Sequence, residues 1–128
     1  MKNVLIVEDS KAIRSMIRVS LEEEGEYFAV EAGNGFEALK ALPTRSFDLI
    51  ITDINMPDIN GLELIGYVKS NPTYRGIPLI IVSTEKTEED KKRGLALGAV
   101  GYVEKPFRKE DLMSVVVKVL GGRQEFGC

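Results

Sequence analysis

Glu8, Asp9, Asp53, Asn55, Ser83 and Lys105 stand at or just beyond the carboxyl ends of stretches that read as β-strands. Glu8 and Asp9 close the apolar run Val4-Leu5-Ile6-Val7, and Asp53 closes Leu49-Ile50-Ile51-Thr52. Ser83 closes Leu79-Ile80-Ile81-Val82, and Lys105 follows Tyr102-Val103-Glu104. Carboxylates gathered in one crevice repel each other, which raises their pKa values unless a cation joins them. Mg²⁺ suits such a cluster, because it takes oxygen ligands from one or two carboxylates and leaves positions for phosphate. Singly, each residue has a plainer reading. Glu8 or Asp9 could cap the following helix, Ser83 could be a loop hydroxyl, and Asn55 could belong to the turn Asn55-Met56-Pro57-Asp58. Together, three acids, a hydroxyl and a lysine at four strand ends suit a divalent metal and a phosphoryl group.

The elements that must position these residues alternate from end to end. Apolar runs predict strands at 4–7, 47–53 and 77–82, with more mixed strands at 27–31 and 100–104. Ser10 is a candidate N-cap for a first helix with Ile13, Met16, Ile17 and Leu21 on its apolar stripe, closing at 22–25. Asn34-Gly35 opens a second helix through Leu42, stopped by Pro43. Asn60-Gly61 leads into a third with Leu62, Leu64, Ile65 and Val68. Thr87-Glu88-Glu89-Asp90 resembles a capping box for a fourth, which Gly98 ends. The fifth covers 109–120, and Gly121-Gly122 begins a polar tail, 121–128, expected to be mobile.

Strands alternating with helices imply a doubly wound parallel α/β sheet covered on both faces. The unbroken apolar strands belong in the middle and the mixed ones at the edges, which fits the order 2-1-3-4-5. Strands 1 and 3 then meet at the switch point, where ligands of open parallel sheets bind, and Glu8, Asp9 and Asp53 converge.

At 128 residues, with 44% hydrophobic and 29% charged residues, the chain has the size and balance of one globular domain. Its net charge of −3 argues against a nucleic-acid surface. No apolar run approaches a membrane span, and Lys2-Asn3 leads into a strand with no cleavable signal. The lone Cys128 has no internal disulfide partner, so a cytoplasmic location is expected. Histidine is absent, which excludes histidine-ligated zinc, a histidine general base and a phosphohistidine role.

In order along the chain, four stretches carry a resemblance: residues 4–9, Asp53-Ile54-Asn55-Met56-Pro57-Asp58-Ile59-Asn60-Gly61, Ile81-Val82-Ser83-Thr84, and Gly101-Tyr102-Val103-Glu104-Lys105-Pro106-Phe107. The set resembles a receiver domain of the two-component response regulators, of the stand-alone CheY-like type, over nearly the whole length. The resemblance implies a flavodoxin-like fold over 1–120 and a phosphorylation-activated switch rather than an enzyme with an external substrate. It implies that Asp53 is the phosphoryl acceptor and that Asp9, Asp53 and the backbone carbonyl of Asn55 bind Mg²⁺, with Glu8 acting through a metal-bound water. Ser83 and Lys105 would each hold a phosphoryl oxygen, Tyr102 would turn inward with Ser83, and the Lys105–Pro106 peptide would be cis. The implied donor is a histidine kinase or phosphotransfer protein. Thr84 departs from the alanine or glycine frequent in the family, and its β-branched side chain would narrow access to Asp53.

The fifth helix carries a core stripe, Leu112, Val115, Val116 and Val119, and beside it Met113, Val117 and Leu120. The second stripe is either a wide buried face or, with helix 4 and strand 5 (Lys91, Lys92 and Tyr102), a surface for a downstream protein or a second copy. No effector segment is expected after Leu120, so output would come through binding, without membrane insertion or direct contact to DNA. One rival motif competes: Gly33-Asn34-Gly35-Phe36-Glu37-Ala38 matches a dinucleotide fingerprint, with Asp53 about 20 residues on. It follows an expected edge strand, away from the switch point, which counts against it. A Mg²⁺-dependent phosphohydrolase is the other enzyme rival, weakened because Asn55 stands where such an enzyme would place an acid.

Overall fold

The computed structural model describes residues 1–56, 58–84 and 88–120, without the side chains of Glu88 and Asp90. Five strands, β1 (Lys2–Val7), β2 (Tyr27–Ala32), β3 (Leu49–Thr52), β4 (Leu79–Ser83) and β5 (Gly101–Glu104), alternate with α1 (Lys11–Glu22), α2 (Gly35–Ala41), α3 (Gly61–Ser70), α4 (Glu88–Leu97) and α5 (Lys109–Val119). All strand pairs are parallel, in the order β2-β1-β3-β4-β5. The expected topology and edge strands are therefore those observed.

The central strands are apolar because both of their faces are covered. Leu5, Val7, Ile50, Leu79 and Ile81 pack with Ala38 of α2 and Leu64, Ile65 and Val68 of α3. Val4, Ile6, Leu49, Ile51, Ile80 and Val82 face the other way, onto Ile17 and Leu21 of α1 and Leu112 and Val116 of α5. Each such side chain contributes about 1.5–3 kcal/mol relative to exposure, so the strand register is held firmly and the strand ends are fixed in space.

Local signals set the helix starts. Ser10 caps α1 through the Ile13 N–H, Asn34 caps α2 through the Glu37 N–H, and Asn60 with Glu63 forms a capping box at α3. Gly98 follows α4 at φ +120°, a conformation that stops a helix and favours glycine.

Several boundaries differ from expectation. Pro43 does not simply stop α2; it sits in a 3-10 turn, Leu42–Thr44, at an early position that needs no N–H. β3 begins at Leu49 rather than 47, because Asp48 spends its pairing on Asn3: its N–H donates to the Asn3 carbonyl at 2.7 Å, and its carboxylate accepts from the Asn3 N–H at 2.8 Å. β4 begins at Leu79, since Pro78 has no N–H to donate, and it runs on to include Ser83. Met16 lies on the exposed side of α1. In the second α5 stripe Met113 is only 8% exposed and belongs to the core, in line with the wide buried face, whereas Val117 is 45% exposed. The expected capping threonine Thr87 and the tail 121–128 lie outside the described residues. Among the described residues no helix is long and apolar enough to cross a membrane.

Candidate functional site

The carboxyl ends of β1, β3, β4 and β5 bring Glu8, Asp53, Ser83 and Lys105 together, and all four are buried. Glu8 is pinned from four directions. Its N–H donates to the Ala32 carbonyl at 3.0 Å, and its own carbonyl accepts from Arg14 Nη1 at 2.7 Å. Its Oε2 accepts from the Ser10 N–H at 3.0 Å, and its Oε1 accepts from Lys105 Nζ at 2.6 Å. Asp53 is anchored by its N–H to the Val7 carbonyl at 3.0 Å. Asp53 Oδ2 accepts from Lys105 Nζ at 3.2 Å, and Oδ1 accepts from the Asn55 N–H at 3.3 Å. Lys105 thus bridges two carboxylates that are 45 residues apart in sequence, and its N–H donates to the Ser83 carbonyl at 2.9 Å, which ties the β4 and β5 ends together.

Gly61 makes room for this arrangement. A Cβ there would lie 2.0 Å from the Asp53 carbonyl oxygen, so only glycine lets α3 begin against the acidic loop. Its N–H closes the loop onto the Ile54 carbonyl at 2.9 Å.

Burial pushes the Glu8 carboxyl above the usual glutamate range, outweighing its hydrogen bonds to Lys105 and Ser10, and the charge on Asp53 adds to the rise. Burial also disfavours the Lys105 ammonium, yet its hydrogen bond to Glu8 and the attraction of Asp53 and Glu8 hold its pKa above the usual lysine range. One ammonium therefore faces several acids. Glu8, Asp9 and Asp53 each present an oxygen, all within 4.8 Å of one another, and Asp9 is exposed at the mouth. This all-oxygen donor set with surplus negative charge fits a hard divalent cation such as Mg²⁺.

The expected residues are thus largely brought together. The Lys105–Pro106 peptide is cis, as expected. Asn55 and Thr84 are exposed at the rim. Tyr102 is half-buried on β5 in register with Ile81, and Lys91 Nζ lies 5.7 Å from its ring centroid. The rival fingerprint at Gly33-Asn34-Gly35 lies beyond edge strand β2, and its groups are occupied locally: the Gly33 N–H donates to Glu37 Oε1 at 2.6 Å and Asn34 Oδ1 accepts from the Glu37 N–H at 2.8 Å. Arg14 escaped the sequence reading, and Gly61 was read there only as a helix start. A glycine at the first position of a helix was a usable sign of close approach, whereas Arg14 looked like any charged residue on a surface helix.

A family model described as the response regulator receiver domain matches residues 4–117. Among curated relatives, a probable transcriptional regulatory protein of Picosynechococcus sp. is 38% identical over 96% of this chain and 50% of its own length. A chemotaxis protein CheY homolog of Campylobacter jejuni is 37% identical over 92% of both chains. The chain spans about half the length of the transcriptional regulators it matches and nearly all of the chemotaxis proteins. Among solved structures, the chemotaxis response regulator CheY4 of Vibrio cholerae superposes with a TM-score of 0.87 at 38% identity, covering 93% of this chain and 98% of that one.

Proposed function

Because this chain belongs to the response regulator receiver domain family, we propose that Asp53 is its phosphoryl acceptor and that Glu8, Asp9, Ser83 and Lys105 complete the site. The domain is a phosphorylation-activated switch of two-component signalling. The observation that carries the site assignment is the position of Lys105 Nζ, 2.6 Å from Glu8 and 3.2 Å from Asp53, beside the exposed Asp9.

In this reading a carboxylate oxygen of Asp53 attacks the phosphorus of a phosphohistidine on a histidine kinase or phosphotransfer protein. The phosphorus–nitrogen bond breaks as the phosphorus–oxygen bond forms, and the freed imidazole is the leaving group. Lys105 sits close enough to Asp53 to hold a phosphoryl oxygen as charge builds on it. Ser83, on the neighbouring strand end, offers a hydroxyl for a second. Asp9 and Asp53, with the Asn55 carbonyl and Glu8 through water, would hold Mg²⁺. When bound there, Mg²⁺ neutralises charge on the transferring oxygens. Asn55 has no acidic proton to give a leaving group, which suits a domain that keeps its acyl phosphate and releases it slowly, as a phosphoacceptor rather than a phosphatase. The cytoplasm, where ATP charges the kinase histidine, is the proposed location. Output would pass through α4, β5 and α5 to a protein target or a second copy.

Intact mass after exposure to acetyl phosphate with Mg²⁺ tests the assignment. One phosphoryl group should be gained, and none with chelator or in Asp53→Asn. Undiminished modification of Asp53→Asn would place the acceptor elsewhere.

A further inference from the structure

One half-buried contact beside the site has no part in the phosphoryl chemistry. Arg14, on the first turns of α1, donates from Nη1 to the Glu8 carbonyl at 2.7 Å and from Nε to Glu31 Oε1 at 2.8 Å. Its side chain is 17% exposed, and Glu31 lies on edge strand β2. Glu31 is held in turn by Arg18 Nε, and Arg18 reaches Glu22 on its own helix at 3.4 Å. Partial burial opposes ionisation of Glu31, yet the two arginines outweigh it and hold the carboxyl below the usual glutamate range. The peptide that Arg14 grips is the one joining Glu8 to Asp9, both members of the acidic cluster. Turning that peptide would swing the Asp9 carboxylate away from Asp53.

The glycine turn after β2, which resembled a nucleotide motif, has a part in this. A Cβ at Gly33 would lie 3.3 Å from Arg14 Nη1, tighter than an ordinary contact, so the glycine leaves the guanidinium room beside the Glu8 carbonyl.

We propose that Arg14, locked by Glu31, is a positioning residue that fixes the Glu8–Asp9 peptide and so sets the affinity of the acidic cluster for Mg²⁺. The inference rests on the proposed function, since it presumes that this cluster takes the metal. Guanidinium geometry is what the job requires: one planar group spans a carboxylate on one side and a carbonyl on the other, which a lysine ammonium cannot match.

The sign of the effect separates this role from simple electrostatics. Removing a cation from an acidic protein strengthens Mg²⁺ binding by long-range attraction, whereas removing a positioning residue weakens it. Arg14→Met, which keeps the aliphatic stem, should weaken Mg²⁺ by about tenfold, the lower end of what losing an outer partner of a metal ligand costs. In the metal-free protein, amide exchange at Asp9 and Ser10 should quicken, a readout independent of phosphorylation. Arg14→Lys keeps the charge and should weaken Mg²⁺ by roughly threefold, because it can serve only one of the two acceptors. Glu31→Gln should weaken binding in the parent but not in the Arg14→Met background, since the two act through one contact.

Mg²⁺ affinity that is unchanged or tighter in Arg14→Met, with parent-like exchange at Asp9 and Ser10, overturns the proposal. Additive effects of the two substitutions overturn the part assigned to Glu31. If Arg14→Met fails to fold, Arg14→Lys decides by the same two measurements. A parent protein that neither binds Mg²⁺ nor gains a phosphoryl group would instead refute the underlying function, which the parent control reads separately.

Discussion

The carboxyl pole of the sheet and the face formed by α4, β5 and α5 are built on opposite terms. At the pole, Glu8, Asp53 and Lys105 are charged groups held inside the protein, each fixed by backbone or side-chain hydrogen bonds. On the face, Leu95, one turn after Lys91, and Val100, beside Tyr102, are exposed aliphatic groups, and Tyr102 is half-buried beneath Lys91. Charges in a region of low dielectric interact strongly, so adding or removing one there changes the energy of the whole pole. Shifting an exposed aliphatic or a half-covered ring costs little by comparison. The two regions meet on β4 and β5, where Ser83 stands opposite Glu104 and Ile81 opposite Tyr102. An electrostatically tense site joined through two strands to a compliant surface suits a switch, because a local change in charge can be answered by a cheap rearrangement.

The largest blow to this contrast should come from the pole. Lys105→Met leaves Glu8 and Asp53 buried without their shared cation, which should cost about 3–5 kcal/mol in metal-free protein. Lys91→Met on the face should cost within about 0.5 kcal/mol. Mg²⁺ should still bind Lys105→Met through Asp9 and Asp53, and at roughly 100 times its Kd it would restore about 2.7 kcal/mol. Urea titrations with and without Mg²⁺ make the comparison. Equal costs for the two substitutions would mean that the pole is not under special electrostatic load.

A subtler test uses pH. The folded-state pKa of Glu8 is raised, so its contribution to stability is complete below the ordinary glutamate range and is lost as pH rises through the raised value. Lowering the pH from neutral toward the ordinary glutamate range should therefore stabilise the metal-free parent relative to Glu8→Gln. Glu31 works in the other direction, since its lowered pKa gives stability that is lost as pH falls below the ordinary range. Lys105 matters only at the alkaline end, where its contribution disappears above the ordinary lysine range. A parallel pH dependence in parent and Glu8→Gln would show that the Glu8 carboxyl feels no net penalty.

The same division governs how much could be read without coordinates. β1, β3 and β4 announce themselves because burial on both faces demands unbroken apolar runs, and the acids that end those runs are visible as abrupt changes of type. Contacts across long sequence separations are visible only through topology. The pairing of Lys105 with Glu8 follows once strands 1 and 5 are placed in one sheet, but Arg14 cannot be assigned that way. Its partners are a backbone carbonyl, which every residue has, and Glu31, one of many acids. Periodicity also fails where a helix packs on two neighbours at once. α5 lies against both the sheet and α1, so its buried arc is wide enough to take Met113, and periodicity alone leaves open whether that residue faces in or out. Strand ends moved by one or two residues because proline and local side-chain pairing, as at Pro78 and Asp48, decide where the ladder starts.

The smallest expected effect concerns the face, and it asks whether compliance there serves output. Val117 is 45% exposed, so Val117→Ser should change stability by no more than about 0.5 kcal/mol and leave phosphorylation of Asp53 as in the parent. Met113→Ala, one turn earlier and buried, should cost about 2 kcal/mol or more by opening a cavity, so the two positions separate surface from core on one helix. Beryllium fluoride with Mg²⁺, a mimic of the acyl phosphate, should alter amide exchange in α4, β5 and α5 of the parent and, equally, of Val117→Ser. Val117 lies on the side of α5 away from β5, so Val117→Ser should also keep association that depends on the activated state, whereas Val100→Ser, beside Tyr102, should weaken it, because an exposed aliphatic at a contact counts only when it is covered. Exchange changes confined to the loops at Asp9, Asp53 and Ser83 would break the link between the regions. The domain would then be better understood as a phosphate shuttle between kinases, in which the pole does the chemistry and the face is ordinary surface.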